Sequence, residues 1–234
     1  MAIPGILIGA PTDRPLRLLA IGAHADDVEI GAGGTILRLA QELPAIDVRW
    51  VVLSATGERA AEARGSAERM LANAGRVRIQ IEAFRERFFP YQPDLKDWFD
   101  RLAADLEAPD LVIGPRLDDD HQDHRTTAEL VRQTFRTQLL LEYEIPKYEG
   151  DLGHPNLYVE LTEDLAEAKI AHLHAMFPSQ RQRHWFRRDV FRGILALRGV
   201  EGGTESGLAE GFTARKLRLG SRLADDGPPA PGAS

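Results

Sequence analysis

The chain has 234 residues, 43% of them apolar and 28% charged, enough for one large α/β domain and too hydrophobic for wholesale disorder. Its 29 Lys and Arg stand against 36 Asp and Glu, a formal charge of −7, which argues against a general nucleic-acid binder with its clustered positive surface. With no cysteine there is no disulfide framework, thiolate metal site or cysteine nucleophile, so any metal must be held by His, Asp or Glu.

Ala2–Ala10 is apolar, but Pro4 and Pro11 interrupt it and no basic residue precedes Arg14, unlike a secretory leader. Nowhere do roughly eighteen apolar residues run together, so the expectation is a cytoplasmic chain with no membrane span. Leu16–Ala23 reads as a buried parallel strand, Val48–Ala55 and Leu111–Gly114 have the same character, and Val77–Phe84 alternates. Between them Gly33–Glu42, Glu58–Ala74 and Asp94–Glu107 read as helices, the last with Leu95, Trp98, Phe99 and Leu102 on one face, and Arg125–Leu139 follows the fourth strand. Strands alternating with helices predict a Rossmann-like, three-layer α/β fold with a mainly parallel sheet, a single domain over residues 1–220. Leu157–Leu161 is expected to add a fifth strand, Glu163–Phe177 a helix and Thr213–Leu219 a last strand; residues 221–234, rich in Pro, Gly and Ala, read as a disordered tail.

Ligands of such sheets bind beyond the carboxyl ends of the strands, so the loops that follow the strands matter most. After the first comes His24-Ala-Asp26-Asp27-Val-Glu29, after the second Thr56-Gly57-Glu58, and after the fourth Pro115 to His124. Zinc hydrolases hold the metal with three side chains and leave one position for water. His24, Asp27 and His124 make such a set, a donor group that would also accept iron or cobalt. Asp26 can then take the proton of a metal-activated water, His121 can stabilise the oxyanion or protonate the leaving amine, and Asp123 can orient a histidine. Each has a plainer reading: Asp26, Asp27 and Asp123 all stand where carboxylates cap helices. Two other functions compete. A nucleotide-binding module without catalysis would use Gly31-Ala-Gly33-Gly34-Thr35-Ile36, although Ile36 stands where GxGxxG needs glycine. A two-metal phosphoesterase would recruit Asp118–Asp120.

The stretch Gly22-Ala-His24-Ala-Asp26-Asp27-Val-Glu29-Ile-Gly31-Ala-Gly33-Gly34-Thr35, followed by His121-x-Asp123-His124, resembles the signatures of the PIG-L/LmbE family of zinc-dependent N-deacetylases. The resemblance runs from about Leu16 to Leu219; one departure is Ala25, where the family usually has proline. It implies one zinc per chain on His24, Asp27 and His124, with Asp26 as general base and His121 aiding the tetrahedral intermediate. It further implies removal of an acetyl group from an N-acetylglucosamine-type sugar or conjugate, with acetate released. Arg64, or less well Arg69, and Asp119 match substrate-facing positions, and a homo-oligomer is compatible with the family. Around this set, Glu29 reads as a partner of the metal loop or a cap for the helix from Gly33. Phe88–Tyr91 reads as an aromatic wall or as packing beneath a loop, and His154, His172 and His174 read as structural or solvated.

Overall fold

Side chains alternate across each strand, and that alternation divides the core in two. In β1 (Leu16–His24), Leu18 and Ala20 join one apolar cluster while Leu19, Ile21 and Ala23 join the other. The computed structural model describes residues 11, 13–43 and 45–217; Ala2–Ala10 and the 221–234 tail lie outside the described residues. β1 is followed by α1 (Asp27–Glu42), β2 (Ile46–Ser54), α2 (Gly57–Met70), β3 (Val77–Ile81), α3 (Pro93–Asp105), β4 (Leu111–Pro115) and α4 (Gln122–Thr134). The chain continues through β5 (Leu139–Tyr143), β6 (Leu157–Glu160), α5 (Glu163–Met176), α6 (Arg188–Gly202) and β7 (Ala209–Thr213).

The described residues form one seven-stranded sheet in the order β3-β2-β1-β4-β5-β7-β6. β1 to β5 pair in parallel, and β7 runs antiparallel between β5 and β6. One face packs on α1, α2, α5 and α6; the other packs on α3 and α4 through Phe99, Trp98, Leu102 and Val131. The chain is therefore a single α/β domain of Rossmann-like, three-layer form. The strand order reverses between β1 and β4, and the crevice at such a switch point is where these sheets hold ligands.

α1 starts at Asp27 rather than Gly33, six residues earlier than expected. Its glycines argue against a helix on propensity alone, but the packing requires them. A Cβ on Gly31 would stand 2.7 Å from Tyr143 Cβ, and one on Gly34 would press on Leu161 and Glu210. Through this opening the buried ion pair Lys169–Glu210 reaches the helix backbone. Glu210 accepts from the N–H groups of Gly34 and Thr35 at 2.8 and 2.7 Å, and Lys169 Nζ donates to the Ile30 carbonyl at 2.6 Å. The expected Arg125–Leu139 helix instead ends at Thr134, and its last residue begins β5. The last strand is Ala209–Thr213, upstream of the expected Thr213–Leu219. α6 went unread because its arginines blur the helical period; it buries Phe191, Leu195, Arg198 and Gly199 and stops at Gly203 in the left-handed region, φ 59°.

Candidate metal and catalytic site

β1 and β4 deliver the two polar loops to the same edge. Only Ala25 and Asp26 separate β1 from α1, so His24 and Asp27 are brought together by the turn itself. The turn is closed by the His24 N–H, which donates to Asp27 Oδ2 at 2.7 Å. From the other loop, His121 caps α4 by accepting from the Asp123 N–H, and His124 lies one turn further on.

Three atoms converge. His24 Nδ1 is 3.2 Å from His124 Nε2 and 3.6 Å from Asp27 Oδ2, and His124 Nε2 is 3.4 Å from the same oxygen. Zinc bonds of about 2.0–2.2 Å in tetrahedral array place ligand atoms about 3.4 Å apart, so this triangle fits a single ion. His121 also offers a ring nitrogen, within 4.8 Å of those of His24 and His124. The carboxylate behind each histidine sets its orientation. Asp119 Oδ2 is 3.0 Å from His124 Nδ1, and Asp123 Oδ2 is 3.3 Å from His24 Nε2, the outer-shell arrangement that turns the opposite nitrogen toward a metal.

Electrostatics agree with a cation site. Burial opposes the His24 and His124 imidazoliums, yet Asp27, with Asp123 and Asp119 respectively, pushes them up to about 10 and about 9. Burial likewise opposes ionisation of Asp27, but His124 and His24 hold it well below the usual carboxylate range. Metal-free, the cluster retains protons that a divalent ion would displace. His121 moves the other way, lowered by burial and by the neighbouring histidine charges.

Asp26 stands apart from the triangle. It does not cap α1 with its side chain. Its Oδ1 accepts from Arg59 Nη2 at 2.7 Å, while the buried Oδ2 has no hydrogen-bond partner. Burial raises its pKa against the pull of Arg59, and Asp27 adds to the rise. Arg59 is itself braced by Glu62 at 3.1 Å and by the Phe177 ring, 5.6 Å from its centroid. Asp26, Asp27, His24, His121 and His124 all line one cavity of about 680 Å³, together with Ser54, Phe84, Ile145 and Trp185.

The two residues expected to contact substrate, Arg64 and Asp119, are not among those that line this cavity. Arg64 is exposed on α2 and does not line the cavity, nor does Arg69; the arginine of α2 that does is Arg59. The signal was available, since Arg59 directly follows the Gly57-Glu58 turn at the end of β2, whereas Arg64 lies more than a helical turn beyond it. Asp119 is 1% exposed, and its carboxylate is engaged by His124 Nδ1, the His121 N–H and Lys147 Nζ. Asp123 also acts through a neighbour: besides His24, it accepts from the N–H groups of Arg87 and Phe89. Arg87 adopts φ 65°, the one positive value outside glycine among the described residues, a strain of about 1–3 kcal/mol held in place from α4. Glu29 neither caps nor supports the metal loop; it bonds Ser66, which also contacts His172 Nε2 at 2.8 Å. Phe89 is buried beneath the site, while Phe88 and Tyr91 are exposed.

A family model described as PIG-L, GlcNAc-PI de-N-acetylase, matches residues 19–135, half of the chain and both polar loops. The chain belongs to the PIG-L family. It is accordingly a metal-dependent de-N-acetylase and a hydrolase. Among solved structures it is similar to the conserved protein TT1542 from Thermus thermophilus, at 20% identity and TM-score 0.68, over 89% of this chain and 100% of that one. The N,N'-diacetylchitobiose deacetylase from Pyrococcus horikoshii aligns at 22% identity and TM-score 0.62, over 84% and 82%. GalB, the 4-carboxy-2-hydroxymuconate hydratase from Pseudomonas putida, aligns at 18% and 0.68, over 89% and 100%. These likenesses are of fold, and the hydratase shows that the fold alone does not dictate the reaction. No helix among the described residues is long and apolar enough to cross a membrane.

Proposed function

We propose that this PIG-L family member removes the acetyl group from an N-acetylglucosamine-type sugar or conjugate, and that His24 Nδ1, Asp27 Oδ2 and His124 Nε2 hold its single zinc ion. The observation that carries this reading is the 3.2–3.6 Å triangle of those atoms on the floor of a cavity that also contains Asp26. Its size lies within the range of small-molecule sites. The family model's description and the chitobiose deacetylase fold support an amino-sugar substrate.

When bound, zinc supplies a Lewis acid and a water acidified to a pKa of roughly 7. The remaining chemistry belongs to the chain. Asp26, its Oδ1 occupied by Arg59, uses Oδ2 to accept the proton of the attacking water. His121 hydrogen-bonds the oxygen of the acetamide as it gains charge, and the proton taken up by Asp26 passes to the departing amine. Asp119 and Asp123 keep His124 and His24 turned toward the metal.

The competing readings lose their structural basis. The glycine run is packed inside α1 against Tyr143 and Leu161, so it offers no phosphate loop. Asp118 is an exposed partner of Arg215 and Asp119 backs His124, which leaves no second ligand set in that run. Acetate release from a panel of N-acetylated amino sugars, with and without chelator, tests the proposal directly. Zinc-dependent release is expected, falling at least a hundredfold in a folded, metal-loaded Asp26→Asn; a wild-type rate in that variant would overturn the assignment.

A further inference from the structure

The segment between β5 and β6 brings Ile145, Lys147, Tyr148 and Glu149 to the wall of the cavity. Both its ends are tied down by side chains. Glu144 pairs with Arg198 of α6 at 2.6 Å and accepts from the Gly153 N–H at 3.1 Å. Asp151 pairs with Arg116 at 3.2 Å and accepts from the Asp120 N–H at 2.7 Å. Between these anchors lie the exposed Tyr148 and Gly150, whose φ of 69° makes the turn.

Lys147 belongs to this segment and to the metal site at once. Its Nζ lies 3.0 Å from Asp119 Oδ2 and 2.7 and 2.9 Å from Asp151 Oδ1 and Oδ2, so the three protons of the ammonium face three carboxylate oxygens. Although Lys147 lines the cavity, no proton is left over for a substrate. Lys147, Arg116, Asp119 and Asp151 form a charge-balanced cluster in which every side chain is 10% exposed or less. Arg116 reaches Asp151 alone among the described residues; Lys147 is the member that joins the two carboxylates. Asp119 Oδ2 is also the oxygen 3.0 Å from His124 Nδ1, while Oδ1 accepts from the His121 N–H at 2.8 Å. The carboxylate behind His124 is therefore fixed at both oxygens by groups other than His124, and the imidazole aligns against a stationary acceptor. Groups that orient a metal-binding histidine in this way set metal affinity without touching the ion.

We propose that Lys147 is a positioning residue acting on both halves of the site: through Asp119 it fixes the His124 ring for the metal, and through Asp151 it fixes the segment that walls the substrate cavity. The proposal rests on the assignment of His124 as a zinc ligand. Its test titrates zinc into the full chain by calorimetry and follows hydrogen exchange over residues 145–150. Lys147→Met should weaken zinc binding about tenfold and speed exchange in the segment. Lys147→Arg, which keeps the charge and the donors, should recover most of the lost affinity. Asp151→Asn should speed exchange in the segment yet keep zinc affinity within about twofold, because it leaves Asp119 in place. In an Asp119→Asn background, Lys147→Met should cost less than about threefold further, since its route to His124 is already weakened. Removing one partner of a buried ionic cluster destabilises, so melting is recorded for each variant, and Lys147→Gln takes the place of Lys147→Met should the latter not fold. Unchanged zinc affinity in Lys147→Met, full additivity with Asp119→Asn, or unchanged exchange over residues 145–150 would overturn the proposal while leaving the metal site intact. A wild-type chain that bound no zinc would overturn the ligand assignment and this proposal with it.

Discussion

Replacing Arg59 by Met removes the cation that holds Asp26 while keeping most of the side-chain volume. Asp26 is 4% exposed, so its carboxylate depends on what the protein supplies. Arg59 supplies a 2.7 Å hydrogen bond to Oδ1 from a side chain that is itself only 27% exposed. A hydrogen bond to a charged group contributes about 1.5–3 kcal/mol; with Arg59 touching solvent, the lower end applies, about 1.5–2 kcal/mol. If that energy serves the ionised, correctly aimed Asp26, kcat falls about 10–30-fold. The pH profile moves as well. Burial already raises Asp26 and Arg59 is the main charge opposing it, so its loss shifts the acid limb of kcat upward. Initial rates of acetate release at saturating substrate, from about pH 5 to 9, would show both effects, with metal content measured in each preparation. Arg59→Lys keeps the charge but loses the fork that spans Asp26 and Glu62, so it should fall between the two. An Arg59→Met enzyme with full metal, unchanged kcat and an unmoved acid limb would refute the pairing of Arg59 with a working Asp26.

Glu29 is fully buried, and burial, reinforced by Asp26 and Asp27, pushes its carboxyl up to about 8 despite the bond from Ser66. A folded-state pKa raised above the unfolded value stabilises the fold at low pH and costs stability as pH climbs toward 8; Glu29→Gln should therefore melt higher than wild type by a margin that widens between about pH 5 and 8. A margin that narrowed over that range would contradict it. Gly31→Ala should destabilise by about 2–4 kcal/mol, since overpacking and displacement of Tyr143, whose hydroxyl donates to the Ile21 carbonyl at 2.9 Å, outweigh a helix-propensity gain of about 1 kcal/mol. An unchanged denaturant midpoint would show that the close approach is not tight. Asp119→Asn should weaken zinc binding about 10–100-fold in a calorimetric titration, because it weakens the hold on His124 Nδ1; wild-type affinity would mean that the carboxylate does not orient the ligand.

The parallel half of the fold was legible because buried strands announce themselves as short apolar runs, as β1, β2 and β4 do, while β3 alternates. The antiparallel end was not. β7 contains Glu210 and Gly211, which read as loop residues until Lys169 and the backbone of α1 are seen to claim that carboxylate. Likewise the glycines of α1 look like a break in sequence and become a packing surface only against Tyr143 and Leu161. At the site, the grouping of His24, Asp27 and His124 followed from strand-end position, since the topology brings those loops together. Which arginine of α2 would line the cavity did not: Arg59 and Arg64 share one helix, and only its direction of approach separates them. The role of Asp119 was hidden for a similar reason, because an Asp run reads as an exposed turn and nothing local shows that its middle member folds inward onto His124.

The central claim is that two imidazoles and one carboxylate share a single ion. A crystal structure of the zinc-loaded protein, with the metal located by anomalous scattering at the zinc edge, tests it most directly. One peak is expected, bonded to His24 Nδ1, Asp27 Oδ2 and His124 Nε2 at about 2.0–2.2 Å, with His121 facing the substrate space rather than the metal. A peak ligated by His121 in place of Asp27, or zinc found only away from these loops, would contradict the account.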